Sequence, residues 1–175
     1  MNPAQAAPHT ENASMPSVHP NTLLALSAGI QSEVASYVFY LEAAKHTDRE
    51  DLRELLHKLA YEEKDHFHTL ERQHHGLIRS EKWISTADVL KREGLPEVEE
   101  DMAVEHKELI DAVRATSSPA ELLDIAYRLE EDAHNLFARE AARATTDEAK
   151  KTFENLARFE KGHMAVIKDM MKKYA

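Results

Sequence analysis

Cysteine is missing from this 175-residue chain, and glycine is scarce at four residues. Without thiolates there is no disulfide, no cysteine nucleophile, no zinc ribbon and no rubredoxin-type iron site, so any bound metal must live on oxygen and nitrogen ligands. So little glycine in a chain that is 42% apolar disfavours a β-rich fold and favours helices around one core. Basic charge is short as well, with 22 Lys and Arg against 32 Asp and Glu and a formal charge of −10. A nucleic-acid partner is not expected, because phosphate binding needs a basic patch. No apolar run approaches the roughly 18–20 residues that span a bilayer, so no membrane association is expected and the expected location is cytoplasmic. Residues 1–20, rich in Pro, Ala, Ser and Asn, have neither a basic start nor an apolar stretch that could act as a secretory signal. They read as a disordered tail, with His9 and His19 as solvated side chains, ahead of one domain over 21–175.

What is present is a duplicated pattern. Glu33, Glu63 and His66 in the first half reappear as Glu130, Glu160 and His163 in the second, each 97 positions on and without a gap. Few other positions are identical at that offset, among them Ala44, Leu59, Ala60 and Lys64 with their partners. The Glu-x-x-His spacing alone is weak, since roughly 1.4 such pairs are expected by chance in a chain of this composition. Five occur, but shifting Glu54/His57, Glu71/His74 or Glu131/His134 by 97 places Lys or Val where the acid should be. Only Glu63/His66 and Glu160/His163 survive that test.

Apolar spacing predicts four long helices. The first starts near Asn21 or Thr22 and ends near Lys45 or His46, with Leu26, Ile30, Tyr37, Tyr40 and Ala44 on one face. Thr47 and Glu50 form a capping box that opens the second, which runs to about His74 with Leu52, Leu56, Leu59 and Leu70 inward. Ser118, Pro119 and Glu121 open the third, which carries Leu122, Ala126, Leu129, Ala133 and Phe137. Thr145 and Glu148 cap the fourth, with Ala149, Phe153, Leu156, Ile167 and Met170 inward. The connection over about 76–118 is too long for a turn. Short helices are expected in it, one from Ser85 and Asp88 to Gly94 and one from Pro96 onward, with Trp83 as an anchor. Such a crossover lets helices two and three run parallel, so that two hairpins make a four-helix bundle.

On these stripes Glu33, Glu63, His66, Glu130, Glu160 and His163 occupy places that packing reserves for apolar side chains. Four carboxylates in a low-dielectric interior repel, and each carries a desolvation cost of several kcal/mol. No Lys or Arg falls on the inward stripes at these levels. Two divalent cations would balance the four acids, and two neutral imidazoles would complete the ligand set. Residues i and i+3 share a helix face, so Glu63 and Glu160 can bridge the two metals, His66 and His163 can end them, and Glu33 and Glu130 serve as terminal carboxylates.

With the local texts EVASYVFYLEAA, EEDAHNLFAREA, LAYEEKDH and LARFEKGH, the chain resembles the ferritin-like superfamily and, within it, the rubrerythrin-like di-iron carboxylate proteins, over about residues 21–74 and 118–175. The resemblance implies an all-α, ferritin-like four-helix bundle, two Fe ions, redox reaction with H2O2 or O2 as an oxidoreductase of oxidative-stress defence, and a homodimer. Manganese or zinc can occupy the same ligands. The chain departs from the family pattern at Ala133, where rubrerythrins carry a further glutamate, and in lacking the cysteine-rich rubredoxin domain. Electrons for a peroxidase would therefore come from a separate donor protein. Tyr40 stands where the family uses a tyrosine to hold a carboxylate, while Tyr37 and His134 are further candidates to support or extend the ligand set. His68, His74 and His75 are expected to lie off the site. Two other roles are open: a dimanganese site that disproportionates peroxide, and an iron-handling module with ferroxidase activity.

Overall fold

The computed structural model describes residues 20–74 and 87–174. Residues 1–19 of the expected tail and the expected positions of His75, Trp83 and Ser85 lie outside those residues, while Pro20, expected in the tail, is already helical. The described chain is all-α, with no strand: α1 (Pro20–His46), α2 (Glu50–Gln73), α3 (Glu100–Glu105), α4 (Lys107–Ala115), α5 (Pro119–Arg143) and α6 (Asp147–Tyr174). A helical turn at 87–90 precedes α3. No helix among the described residues is long and apolar enough to cross a membrane.

The four long helices form the bundle, with α1 packed along α2 and α5 along α6. Pairs of touching residues fix the directions. Arg53 Nε donates to the Ala44 carbonyl at 3.3 Å, while Gly29, far earlier on α1, meets Leu70 late on α2, so this pair is antiparallel. Phe137 stacks on Phe153 and Glu130 meets His163, so α5 and α6 are antiparallel too. Gly29 also meets Phe137, and Tyr40 meets Glu130, which sets α1 against α5 in the same sense. It follows that α2 and α5 run parallel, as the long connection requires. Gly29 allows this approach: a Cβ there would lie 3.0 Å from the Phe137 ring and 3.1 Å from Leu70.

The inward faces follow the apolar spacing. Leu52, Leu56, Leu59 and Leu70 of α2, Leu122, Ala126 and Phe137 of α5, and Phe153, Leu156 and Ile167 of α6 are all buried. Cap positions differ from expectation in instructive ways. Ser118 accepts from the Glu121 amide at 3.3 Å, but the Glu121 carboxylate reaches back to the amide of Ser117 at 2.7 Å, one residue further than the usual box. Thr47 and Glu50 form no capping box. Thr47 Oγ1 accepts from the Arg49 amide and Arg53 donates to the Thr47 carbonyl at 2.8 Å, so the guanidinium holds the α1–α2 corner that the box was expected to hold. Thr146, not Thr145, caps α6, through the Ala149 amide at 3.2 Å. Pro96 starts no helix: α3 begins only at Glu100, and the Pro96 carbonyl accepts from the Tyr37 hydroxyl at 2.7 Å. The crossover is latched again by Lys64, whose ammonium donates to the carbonyls of Arg92 and Gly94, the latter at 2.8 Å. Gly94 turns there with φ of 75°, a left-handed conformation that glycine adopts without a Cβ clash.

Candidate metal centre

Each long helix delivers its acids and imidazoles to one layer of the core. Glu33 comes from α1, Glu63 and His66 from α2, Glu130 from α5, and Glu160 and His163 from α6; none of the six is more than 6% exposed. Their oxygen and nitrogen atoms form two groups, Glu33, Glu63, His66 and Glu160 in one and Glu63, Glu130, Glu160 and His163 in the other, with the atoms of each group within 4.8 Å of one another. Glu63 and Glu160 belong to both groups and stand between them. The two imidazole rings stack with centroids 5.4 Å apart and planes 18° apart.

The donor chemistry fits two divalent cations. His66 Nδ1 lies 3.3 Å from Glu33, 3.2 Å from Glu63 and 3.1 Å from Glu160. His163 Nδ1 lies 3.2 Å from Glu63, 3.2 Å from Glu130 and 3.1 Å from Glu160. A single N–H points in one direction and cannot satisfy three carboxylates. Both oxygens of Glu33, both of Glu160 and one of Glu63 are fully buried without an adequate hydrogen bond. Orphaned lone pairs of that number are costly in a core unless a cation collects them.

Protonation follows the same balance. Burial, and then the charge of Glu63, hold the carboxyls of Glu33 and Glu130 well above the usual range. Burial acts on Glu63 and Glu160 in the same sense, but hydrogen bonds from His163 and His66 outweigh it and hold both below the usual range. Burial alone would lower the imidazoles; the facing carboxylates prevail, pushing His66 up to about 12 and raising His163 likewise. The raised carboxyls of Glu33 and Glu130 and the raised imidazoles of His66 and His163 both oppose unbalanced negative charge in the core, so protons and metal ions compete for one charge-balancing role.

The supporting residues divide. Tyr40, fully buried, donates its hydroxyl to the Glu130 carboxylate, the place the sequence suggested for it. Burial and then the Glu130 charge raise the phenol far above its usual range, so it remains a donor. Tyr37 does not reach the acids: its hydroxyl is taken by the Pro96 carbonyl. His134 is likewise elsewhere, with Nδ1 2.7 Å from the Ala157 carbonyl across the α5–α6 pair. Each lies four positions after an acid, yet its polar atom meets a backbone carbonyl of a neighbouring segment instead of a carboxylate. His68 sits on the Leu90 carbonyl at 3.1 Å, off the site as expected.

Glu62 was not foreseen. Its carboxylate lies 2.8 Å from His163 Nε2, the nitrogen that faces away from the acids. The signal was available as the residue just before Glu63, but the contact joins α2 to α6, and linear spacing gives no reason to select it. Above the imidazoles, a groove of about 440 Å³ opens between α2 and α6, lined in part by Leu59, Glu62, His66, Phe159, His163 and Val166.

A four-helix bundle whose helices place two Glu-x-x-His pairs and two further glutamates in one buried layer is the ferritin-like architecture. The Rubrerythrin family model matches residues 25–171, and the chain belongs to that family. Among solved structures it is similar in fold to a hypothetical protein from Pyrococcus furiosus, with a TM-score of 0.58 and 21% identity over 86% of this chain and 88% of that one. No curated protein shows significant similarity to it.

Proposed function

We propose that this chain is a dinuclear iron protein that reacts with H2O2 or O2, in the manner of an oxidoreductase of oxidative-stress defence. The observation that carries the reading is the pair of buried donor groups that share Glu63 and Glu160, with five carboxylate oxygens lacking adequate hydrogen bonds. Two iron ions held there would supply electrons to the oxidant. Glu63 and Glu160 would hold both ions, Glu33 and His66 would close one end, and Glu130 and His163 the other. The four acids are at most 1% exposed, and the low dielectric around them strengthens their electrostatic hold on the cations. The groove over His66 and His163 admits a molecule the size of peroxide and offers it Glu62 as a polar contact. A separate donor protein would supply the electrons. A cytoplasmic homodimer is the expected form.

The test is consumption of H2O2 by the iron-loaded protein with and without a chemical reductant. The reading expects turnover that depends on reductant and is lost in Glu63→Ala. Steady turnover without reductant, supported by manganese and not by iron, would instead assign peroxide disproportionation. Iron uptake far beyond two ions per chain, without peroxide turnover, would assign iron handling.

A further inference from the structure

The two ends of the site are made of matching ligands but not of matching surroundings. At the Glu130–His163 end, the Tyr40 hydroxyl donates to the Glu130 carboxylate, and Glu62 accepts from His163 Nε2 at 2.8 Å. A carboxylate on the outer nitrogen fixes the imidazole tautomer, presents Nδ1 to the acids and makes the ring a stronger donor. The residues 97 positions from Tyr40 and Glu62 are Phe137 and Phe159. Neither offers a hydrogen bond. Phe137 packs on Gly29, one turn before Glu33, and both Glu33 oxygens lack an adequate hydrogen bond. Phe159, half exposed, lies against the His66 ring with centroids 5.1 Å apart and planes at 36°. Both polar supports therefore serve one end, and both phenylalanines stand at the other.

From this we propose that the two metal positions are inequivalent by construction: the Glu130–His163 position, oriented by Tyr40 and Glu62, fills first and holds its ion tightly, while the Glu33–His66 position is the exchangeable one. The inference rests on the dinuclear reading. Outer partners of metal-bound histidines are typically worth about 10–100-fold in affinity, so a separation of that size is expected between the two binding steps. The groove opens over both rings, with the half-exposed Phe159 as its wall beside His66.

The experiment is anaerobic Co²⁺ titration of the metal-free full-length chain, followed by the visible ligand-field bands. Wild type is expected to bind in two steps about 10–100-fold apart. His163→Ala should remove the tighter step and His66→Ala the weaker. Glu62→Ala should weaken the tighter step by about 10–100-fold and merge the two, while Glu62→Gln, which still accepts from Nε2, should fall between. The side chain of Glu62 is 39% exposed, so these changes leave the core intact. Two steps of equal affinity in wild type, a tighter step that disappears in His66→Ala, or an unchanged separation in Glu62→Ala would overturn the inference and leave the dinuclear site standing. Absence of any stoichiometric Co²⁺ binding would overturn both.

Discussion

The α1–α2 and α5–α6 hairpins present the same acids and imidazoles to the core, yet elsewhere shared identity and shared role come apart. Lys64 and Lys161 are the same residue at equivalent places, but Lys64 is buried and latches the crossover, while Lys161 is exposed. Tyr37 and His134 are different residues at equivalent places with a common task, each held by a backbone carbonyl of a neighbouring segment. The lesson is physical. Where charge must be balanced inside a dry core, few side chains serve, and both halves carry the same ones. Where a position only packs or caps, many side chains serve, and the halves diverge.

The largest effect expected from testing that comparison is at the shared acids. Glu63→Ala and Glu160→Ala should each lose both metals, because each belongs to both donor groups. Glu54→Ala, an exposed acid in an unrepeated Glu-x-x-His, should keep them. Elemental analysis of the three variants decides it, and equal loss in Glu54→Ala would break the repeat-based assignment. The equivalent lysines should separate next. Lys64→Ala leaves the Arg92 and Gly94 carbonyls without their donor and should cost about 1–3 kcal/mol in urea unfolding. Lys161→Ala should stay within about 0.5 kcal/mol.

A smaller contrast lies in two helical glycines. Gly29→Ala presses a Cβ against Phe137 and Leu70 and should destabilise by about 1–3 kcal/mol. Gly162→Ala meets nothing within 4 Å and should stabilise by up to about 1 kcal/mol through helix propensity. Thermal melts of the two variants should shift in opposite directions. The smallest effect concerns the C-terminal turn of α6, which the first hairpin holds through Asp51. Hydrogen bonds from Lys173 and Tyr174 lower the Asp51 carboxyl from 3.8 to about 2. A lowered carboxyl contributes stability above its unfolded value that is lost as pH falls through its folded value. Protection factors of the amides near Tyr174, referred to the intrinsic exchange rate at each pH, should therefore fall between about pH 4 and 2, and Asp51→Asn should remove that dependence.

The acids and imidazoles were legible in the sequence because they interrupt apolar stripes, and because an ungapped repeat separates Glu63/His66 from three decoy pairs. The helices were legible for the same reason, since Leu52 to Leu70 and Phe153 to Ile167 keep helical spacing through the acids and imidazoles. Boundaries were less so: Thr145 and Thr146 are chemically alike, and only the bond to the Ala149 amide selects the second. Glu62 escaped because a carboxylate next to Glu63 reads as one more solvated acid until α6 places His163 Nε2 against it. Tyr37 and His134 were misplaced because Pro96 and Ala157, on neighbouring segments, offer carbonyls that no linear pattern reveals.

Whether the repeated acids and imidazoles form a dinuclear metal centre is decided by anaerobic Fe²⁺ titration of the metal-free protein, with iron per chain read by elemental analysis. Saturation at about two ions per chain, followed by a ferric absorption band on adding H2O2, is the predicted result. Absence of stoichiometric binding would contradict it.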